Sequence, residues 1–359
     1  MAHDMQAGGY QRDLMDQPKA VRDTVQGLRK QALPEAVAAR LARGDFRRVV
    51  LTGMGSSFFA FHPLHQALVW RGVDAHMVET SELLHGLHGL LRPDTLVIAA
   101  SQSGQSAEAV ALVEQKAQIE QKAQAGNRGA QFALLGVSNT PGSPLAEGSD
   151  GCIFTRAGTE FSVSCKTYLT MLVALAWLEP LLFGEPTAAV LNDLENAAAP
   201  LERYLAGWQA HVADLKVRLK DVRDLFILGR GASLAAANNG GLTIKESTHM
   251  HSEGMSSPAF RHGPLEMVDA QTFVLVFAGQ GPALALNRRL YQDVLALGGP
   301  AGLVIENAPE PVFRLAPGPE RLKPLLEMLP VQMMTLALAD LHGHVAGQFR
   351  HVSKVTATE

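Results

Sequence analysis

The sequence predicts an α/β chain of two parallel-sheet domains, each an αβα sandwich. Three observations carry this. Short, near-continuous Val/Ile/Leu runs recur along the chain and close on Gly or Ser. A run apolar at every position fits a strand buried on both faces, as in a parallel sheet. Longer helical stretches separate the runs, which is the alternation that covers such a sheet on both sides. The pattern of the first half then returns in the second.

In chain order the expected strands are Arg48 to Thr52, His76 to Glu79, Thr95 to Ala100, Gln131 to Val137 and Cys152 to Thr155. The second half offers Asp224 to Leu228, Thr272 to Ala278, Gly302 to Ile305 and Val312 to Leu315. Val50-Leu51-Thr52-Gly53-Met54-Gly55-Ser56-Ser57 parallels Phe226-Ile227-Leu228-Gly229-Arg230-Gly231-Ala232-Ser233, and Val97 to Gly104 parallels Val274 to Gly281 at nearly the same separation. Two successive strand ends matching in step point to an internal duplication. It fails in an informative place: Ser101 and Ser103 of the first copy become Ala278 and Gln280 in the second.

The chain has 359 residues, 47% hydrophobic and only 18% charged, with a net charge of -4. That length suits two domains with full cores. No basic stripe follows a nucleic-acid backbone, so nucleic acid is not an expected partner. Cys152 and Cys165 form no disulfide framework, which fits a reducing cytoplasm. The polar N-terminus lacks an apolar signal core. No uninterrupted apolar run reaches the roughly 18 residues of a membrane span. The richest stretch, Leu169 to Phe183, contains Glu179 and Pro180 and is expected to be a buried helix.

The loop Ser101-Gln102-Ser103-Gly104-Gln105-Ser106 leaves a strand end and leads into a helix expected near Ala107. Ligands of open α/β sheets sit beyond the carboxyl ends of the strands. Unpaired N–H groups at a helix start suit an anion. Hydroxyls add neutral donors, and Gly104 permits close backbone approach. A turn with a single capping serine would need fewer such residues, so a phosphate cradle is the expectation, with Ser56 and Ser57 as neighbours able to close it. Asn139-Thr140-Pro141-Gly142-Ser143 reads as a plain turn. Gly53-x-Gly55 with Glu79 further on has part of a dinucleotide fingerprint, but Phe58 stands where the third glycine belongs. Neither a Walker loop nor a Gly-x-Ser-x-Gly nucleophile elbow occurs.

The second half holds Lys245-Glu246-Ser247-Thr248-His249-Met250-His251-Ser252-Glu253, read as a helix continuing from Ala235 that places Glu246, His249, Met250 and Glu253 on one face. Arg261-His262-Gly263-Pro264 follows. A carboxylate with an imidazole is a common pair for moving protons; the alternatives are a solvated helix face and a metal site of His249, His251, Glu253 and His262. The His-x-His spacing splits two rings across a helix and no His-Glu-x-x-His occurs, so no metal is expected. His62 with His65, and His85 with His88, lack acidic partners and read as ordinary histidines.

These residues, in this order, resemble the double sugar isomerase (SIS) domain proteins, and specifically the isomerase half of glucosamine-6-phosphate synthase. The likeness rests on Gly55-Ser56-Ser57, Ser101-Gln102-Ser103-Gly104, Ala157-Gly158-Thr159-Glu160, Leu228-Gly229-Arg230-Gly231, Lys245-Glu246, Arg261-His262-Gly263-Pro264 and Ser353-Lys354-Val355-Thr356. It implies two flavodoxin-like SIS domains at 30–190 and 216–346, a helical linker at 191–215 and a C-terminal tail at 347–359 that completes the site. It implies phosphate and sugar binding by Ser57, Ser101, Gln102, Ser103, Ser106, Ser164 and Ser353. It implies that Glu246 moves a proton between C1 and C2. It implies likewise that His262 opens the sugar ring from a second subunit of a homodimer, and that Lys354 engages the sugar carbonyl. No cofactor and no membrane are implied.

This sequence departs from that pattern at three places. The chain starts Met1-Ala2-His3 without an N-terminal cysteine nucleophile, so no glutaminase activity is expected. Thr243 stands where the synthase has a lysine. The run Val163-Ser164-Cys165-Lys166 is one residue shorter, with Ser164 taken to face the sugar. The expected activity is that of an isomerase or deaminase of an amino sugar 6-phosphate such as glucosamine 6-phosphate. A fructosamine-6-phosphate deglycase and a non-catalytic sugar-phosphate sensor are the alternatives.

Overall fold

A computed structural model describes residues 8–124, 132–351, 353–356 and 358. The fold is α/β, with two all-parallel sheets flanked by helices. The chain divides into two units. The five-stranded unit takes 20–158, 167–195 and the end of the chain. The four-stranded unit takes 196–351, the N-terminal residues through 19 and the segment 159–166.

The five-stranded unit contains β1 (Arg48–Gly53), β2 (Asp74–Glu79), β3 (Thr95–Ala100), β4 (Ala133–Ser138) and β5 (Gly151–Phe154), in the order β2-β1-β3-β4-β5. Every residue of β3 and β4 is buried, as their unbroken apolar runs require of central parallel strands. The helix Lys166–Leu182 is apolar nearly all round and buried, matching the expectation for 169–183. Val50, Val97, Leu112, Phe132 and Leu134 sit in the core on one side of this sheet. The expected strand from Gln131 starts outside the described residues and is observed from Ala133.

The four-stranded unit contains β6 (Asp224–Gly229), β7 (Ser252–Ser256), β8 (Thr272–Phe277) and β9 (Ala301–Val304), in the order β7-β6-β8-β9. The first four positions of the two sheets are thus threaded alike: each opens on an inner strand, crosses to one edge, then returns and continues the other way. Phe226, Phe260, Val274 and Val276 form its core. The stretch Glu320–Leu341 is long and apolar enough to cross a membrane, with mean hydropathy 1.2. With 83% of that window buried inside the protein, it is a core helix.

Two expectations about elements fail. Val312 to Leu315 is no strand: Pro311–Phe313 is a 3₁₀ turn, and only Arg314 bridges to Ile305. Pro311 fixes its own φ near the value of the turn's first position and has no N–H to give to a ladder, so the chain turns there instead of extending. Residues 235–253 are not one helix. The helix Leu234–Thr248 stops at His249, whose φ is 59°, and Glu253 lies in β7. Glu246 and Glu253 therefore share no helix face.

Candidate functional site

The order β2-β1-β3 makes the gap between the carboxyl ends of β1 and β3 the topological switch point, where the chain leaves in opposite directions and ligands of such sheets bind. Both serine segments sit there. Gly53, the last residue of β1, is pressed against β3: a Cβ on it would lie 2.8 Å from the carbonyl oxygen of Ala100. The short helix Gly55–Phe59 follows at once and carries Ser56 and Ser57, both half-buried.

Beyond β3 the serine loop is a folded turn. Ser101 Oγ accepts from Gly104 N at 3.1 Å, Ser103 Oγ from Gln105 N at 3.1 Å, and Ser106 Oγ from Ala109 N at 3.4 Å. A hydroxyl has one proton and two acceptor sites. With backbone amides using the acceptor side, each hydroxyl keeps its proton as a donor. The arrangement offers donors without a cation, which is the neutral cradle an exchangeable phosphate ester needs.

The turn given no role in the sequence holds this loop. Asn139 N donates to the carbonyl of Gln102 at 3.1 Å, and Ser138 Oγ and Thr140 Oγ1 reach the same oxygen, each at 3.3 Å. Leu145 N donates to Gly104 O at 3.1 Å. Gly104 has φ 62°, and a Cβ there would lie 2.1 Å from Ser143 Oγ. Asn139 in turn binds Thr155 Oγ1, Ala157 N and Gly158 O. The dense Asn-Thr-Pro-Gly-Ser composition was the available signal, but its partner lies one strand away.

The C-terminal tail belongs to this same unit. Ala107 N, at the start of the helix Ala107–Gln124, donates to Thr356 O at 3.1 Å. Lys354, two residues earlier, is half-buried, and Ser353 Oγ donates to Val355 O at 2.6 Å. Ser57, Ser101, Gln102, Ser103, Ser106, Ser353 and Lys354 are thus all in the five-stranded unit, and the tail meets the helix that follows the serine loop.

The four-stranded unit holds the rest. Glu246 is half-buried in the last turn of the helix Leu234–Thr248. His262 is exposed, just past the short helix Ser257–Arg261, whose Arg261 binds Asp293 at 2.5 Å. Thr243 is wholly buried, and its hydroxyl has no hydrogen-bond partner among the described residues. Ser164 sits in a segment pinned from two sides. Glu160 accepts from Cys165 N at 2.9 Å, and Asp13 accepts from Phe161 N at 2.7 Å. Lys166 bridges Asp13 and Asp16 at 3.1 and 2.9 Å. Burial raises the Asp13 carboxyl above its usual range, against the lowering effect of the Phe161 amide and Lys166.

Among the described residues no group of three or more His, Cys, Asp and Glu is placed to hold a metal. His251 instead pairs with Asp224 at 2.9 Å and with Glu253 at 3.6 Å. His65 Nε2 meets Ala75 O at 3.1 Å, while burial and His65 push His62 down to about 4. Both cysteines are free.

Residues 45–178 and 218–339 each match the SIS domain family model. The isomerizing glutamine–fructose-6-phosphate aminotransferase of Pyrococcus horikoshii is 29% identical over 372 residues, covering 98% of this chain and 58% of that protein. The enzyme of the same name from Thermosynechococcus vestitus is 30% identical over 285 residues, 75% of this chain and 45% of that one. The chain therefore spans about half the length of these relatives. Among solved structures, the C-terminal domain of glucosamine-fructose-6-phosphate aminotransferase from Francisella tularensis superposes with a TM-score of 0.81 at 22% identity, covering 95% of this chain and 98% of that one. A glucosamine-6-phosphate deaminase from Thermotoga maritima gives a TM-score of 0.74 at 17% identity, covering 97% and 99%.

Proposed function

Because the chain belongs to the SIS-domain family, we propose that it is a phosphosugar aldose–ketose isomerase/deaminase that converts an amino sugar 6-phosphate, glucosamine 6-phosphate by preference, to the ketose phosphate and ammonia. The observation that carries this reading is the set of hydroxyls at the β1/β3 switch point, whose acceptor sides are taken by backbone amides and whose protons remain to donate. Ser57, Ser101, Gln102, Ser103 and Ser106 take the phosphate, and Ser164 and Ser353 contact the sugar. His262, contributed by the partner in a homodimer, transfers the proton that opens the ring. Lys354 engages the open-chain carbonyl carbon. Glu246 removes the C2 proton and returns it to C1. The double-bond shift leaves an imine at C2, which water hydrolyses to the ketose with release of ammonia. No cofactor takes part, and a cytoplasmic location belongs to the same reading.

The test is incubation with glucosamine 6-phosphate, following ammonia and fructose 6-phosphate together. Glu246→Gln keeps the shape of the side chain and removes the base, so ligand binding persists while turnover is lost. Near-normal turnover by that variant would sink the assignment. Turnover of a fructosamine 6-phosphate in place of the amino sugar gives the deglycase. Binding without turnover across a phosphosugar panel gives the sensor.

A further inference from the structure

The segment 342–351 of the four-stranded unit lies against the carboxyl end of the helix that carries Glu246. Gly347 N donates to Ser247 O at 3.2 Å, and Ser162 Oγ donates to Gly347 O. Gly347 is in the left-handed region at φ 78°, where a Cβ would fall 2.3 Å from Ser162 Oγ. His249 closes the contact. Its Nε2 lies 3.0 Å from Gln348 O, and its ring meets that of His344 edge-on at 5.5 Å.

Elementary donor–acceptor logic fixes the protons in this cluster. A carbonyl only accepts, so His249 Nε2 carries a proton. In the neutral ring Nδ1 is then bare, and that atom is buried without a hydrogen-bond partner among the described residues. A guanidinium only donates, so His344 Nε2, 3.1 Å from Arg350 Nη2, must accept. Protonating His249 buries a new N–H with nothing to receive it.

The surrounding charges point the same way. Burial, then the Arg350 guanidinium and the neighbouring rings of His344 and His351, hold the His249 imidazole below its ordinary value, while its bond to Gln348 works against them. His342 Nε2 faces Met250 Sδ at 3.1 Å. Lys245 and Glu246 are on the ring's own helix. The nearby acids are engaged elsewhere: Asp224 and Glu253 with His251, and Asp340 with Lys216.

We propose that His249 is a proton-sensitive catch, which holds the segment 342–351 down at neutral pH and releases it in mild acid, making it a positioning residue for the tail that carries Lys354. The tail's part in chemistry rests on the function proposed above; the catch does not. The sign follows from linkage. A base whose protonated form is disfavoured in the closed state contributes stability that is full above its ordinary value and is lost as pH falls.

Hydrogen exchange tests this without a substrate, so the result stands apart from the choice of phosphosugar. The reporter is the Gly347 amide with peptides covering 343–351, corrected for intrinsic exchange. Between about pH 7.5 and about pH 5.5 the wild-type chain gains at least about fivefold in opening, while β8 peptides stay protected. His249→Asn, which tolerates the left-handed backbone, cuts that step to under about twofold. His249→Gln serves in its place if the Asn variant does not fold. Unchanged wild-type protection, a full step in the variants that fold, or loss in β8 together with 343–351 would each overturn the proposal.

Discussion

The amide of Ala107 donates to the carbonyl of Thr356 across 3.1 Å, joining the start of one helix to the end of the chain. That first helical N–H is therefore spent on the tail, and the serine hydroxyls carry more of any anion binding. The same bond fixes the backbone two residues beyond Lys354. Lys354→Ala is expected to lower kcat by about 100-fold or more with little change in inorganic phosphate affinity. Deletion of 353–359 removes both the lysine and the Thr356 contact and should weaken phosphate as well. Equal phosphate affinity for the two variants would show that the tail does nothing for the loop.

Ser101→Ala removes one donor and also one of the two acceptors of Gly104 N, leaving the Ser101 carbonyl. A hydrogen bond to a charged group is worth about 1.5–3 kcal/mol, so phosphosugar affinity should fall by roughly 10- to 150-fold. Titration calorimetry checks this. Ser56→Ala, in the neighbouring segment but outside the proposed contacts, serves as the comparison.

Gly104→Ala places a methyl group where Ser143 Oγ already sits and forces a left-handed backbone on an L-residue. The backbone alone costs about 1–2 kcal/mol. The expected result is a folded chain with a lower melting temperature and no measurable phosphosugar binding. Ser143→Gly in addition should recover part of the stability, seen as an upward shift in the melting curve.

Glu327 is fully buried, with Ser233 Oγ donating to it at 2.8 Å. Burial raises its carboxyl from 4.5 to about 7, against the lowering effects of Ser233 and Lys323. Between those values the native state holds a proton that the unfolded state has lost, so stability present below about 4.5 is lost as pH rises through about 7. Glu327→Gln keeps the hydrogen bond without the charge. It should flatten that decline and gain on the order of 3 kcal/mol at about pH 8 by chemical denaturation. A wild-type stability that does not fall across this window would contradict the assignment.

The central strands were legible because each is a closed apolar run ending on a small residue, as Thr95 to Ala100 does before Ser101. The edge strand β7 was not. Its Ser-Glu-Gly-Met-Ser has no apolar run, and Gly254 is there because a Cβ would lie 2.2 Å from Ala237 O, a contact the local sequence does not reveal. His249 was read as mid-helix since nothing nearby breaks the pattern; the positive φ is set by packing from 344 and 348. The serine loop could be read from its hydroxyls, whereas the turn that fixes it could not. The serine-loop partners of Asn139, Thr140 and Ser143 are about 37 to 39 residues away in sequence, and the parallel pairing of β3 with β4 brings them together.

The carbonyl of Gln102 has two lone pairs and three suitors, Asn139 N, Ser138 Oγ and Thr140 Oγ1. The loop's position is consequently stored redundantly. Losing either hydroxyl leaves the carbonyl satisfied, and the Asn139 bond uses a backbone amide that no ordinary substitution except proline deletes. Positions 138 and 140 should tolerate errors one at a time and fail together, so that a scan of single variants would pass over the very residues that keep the anchor in register.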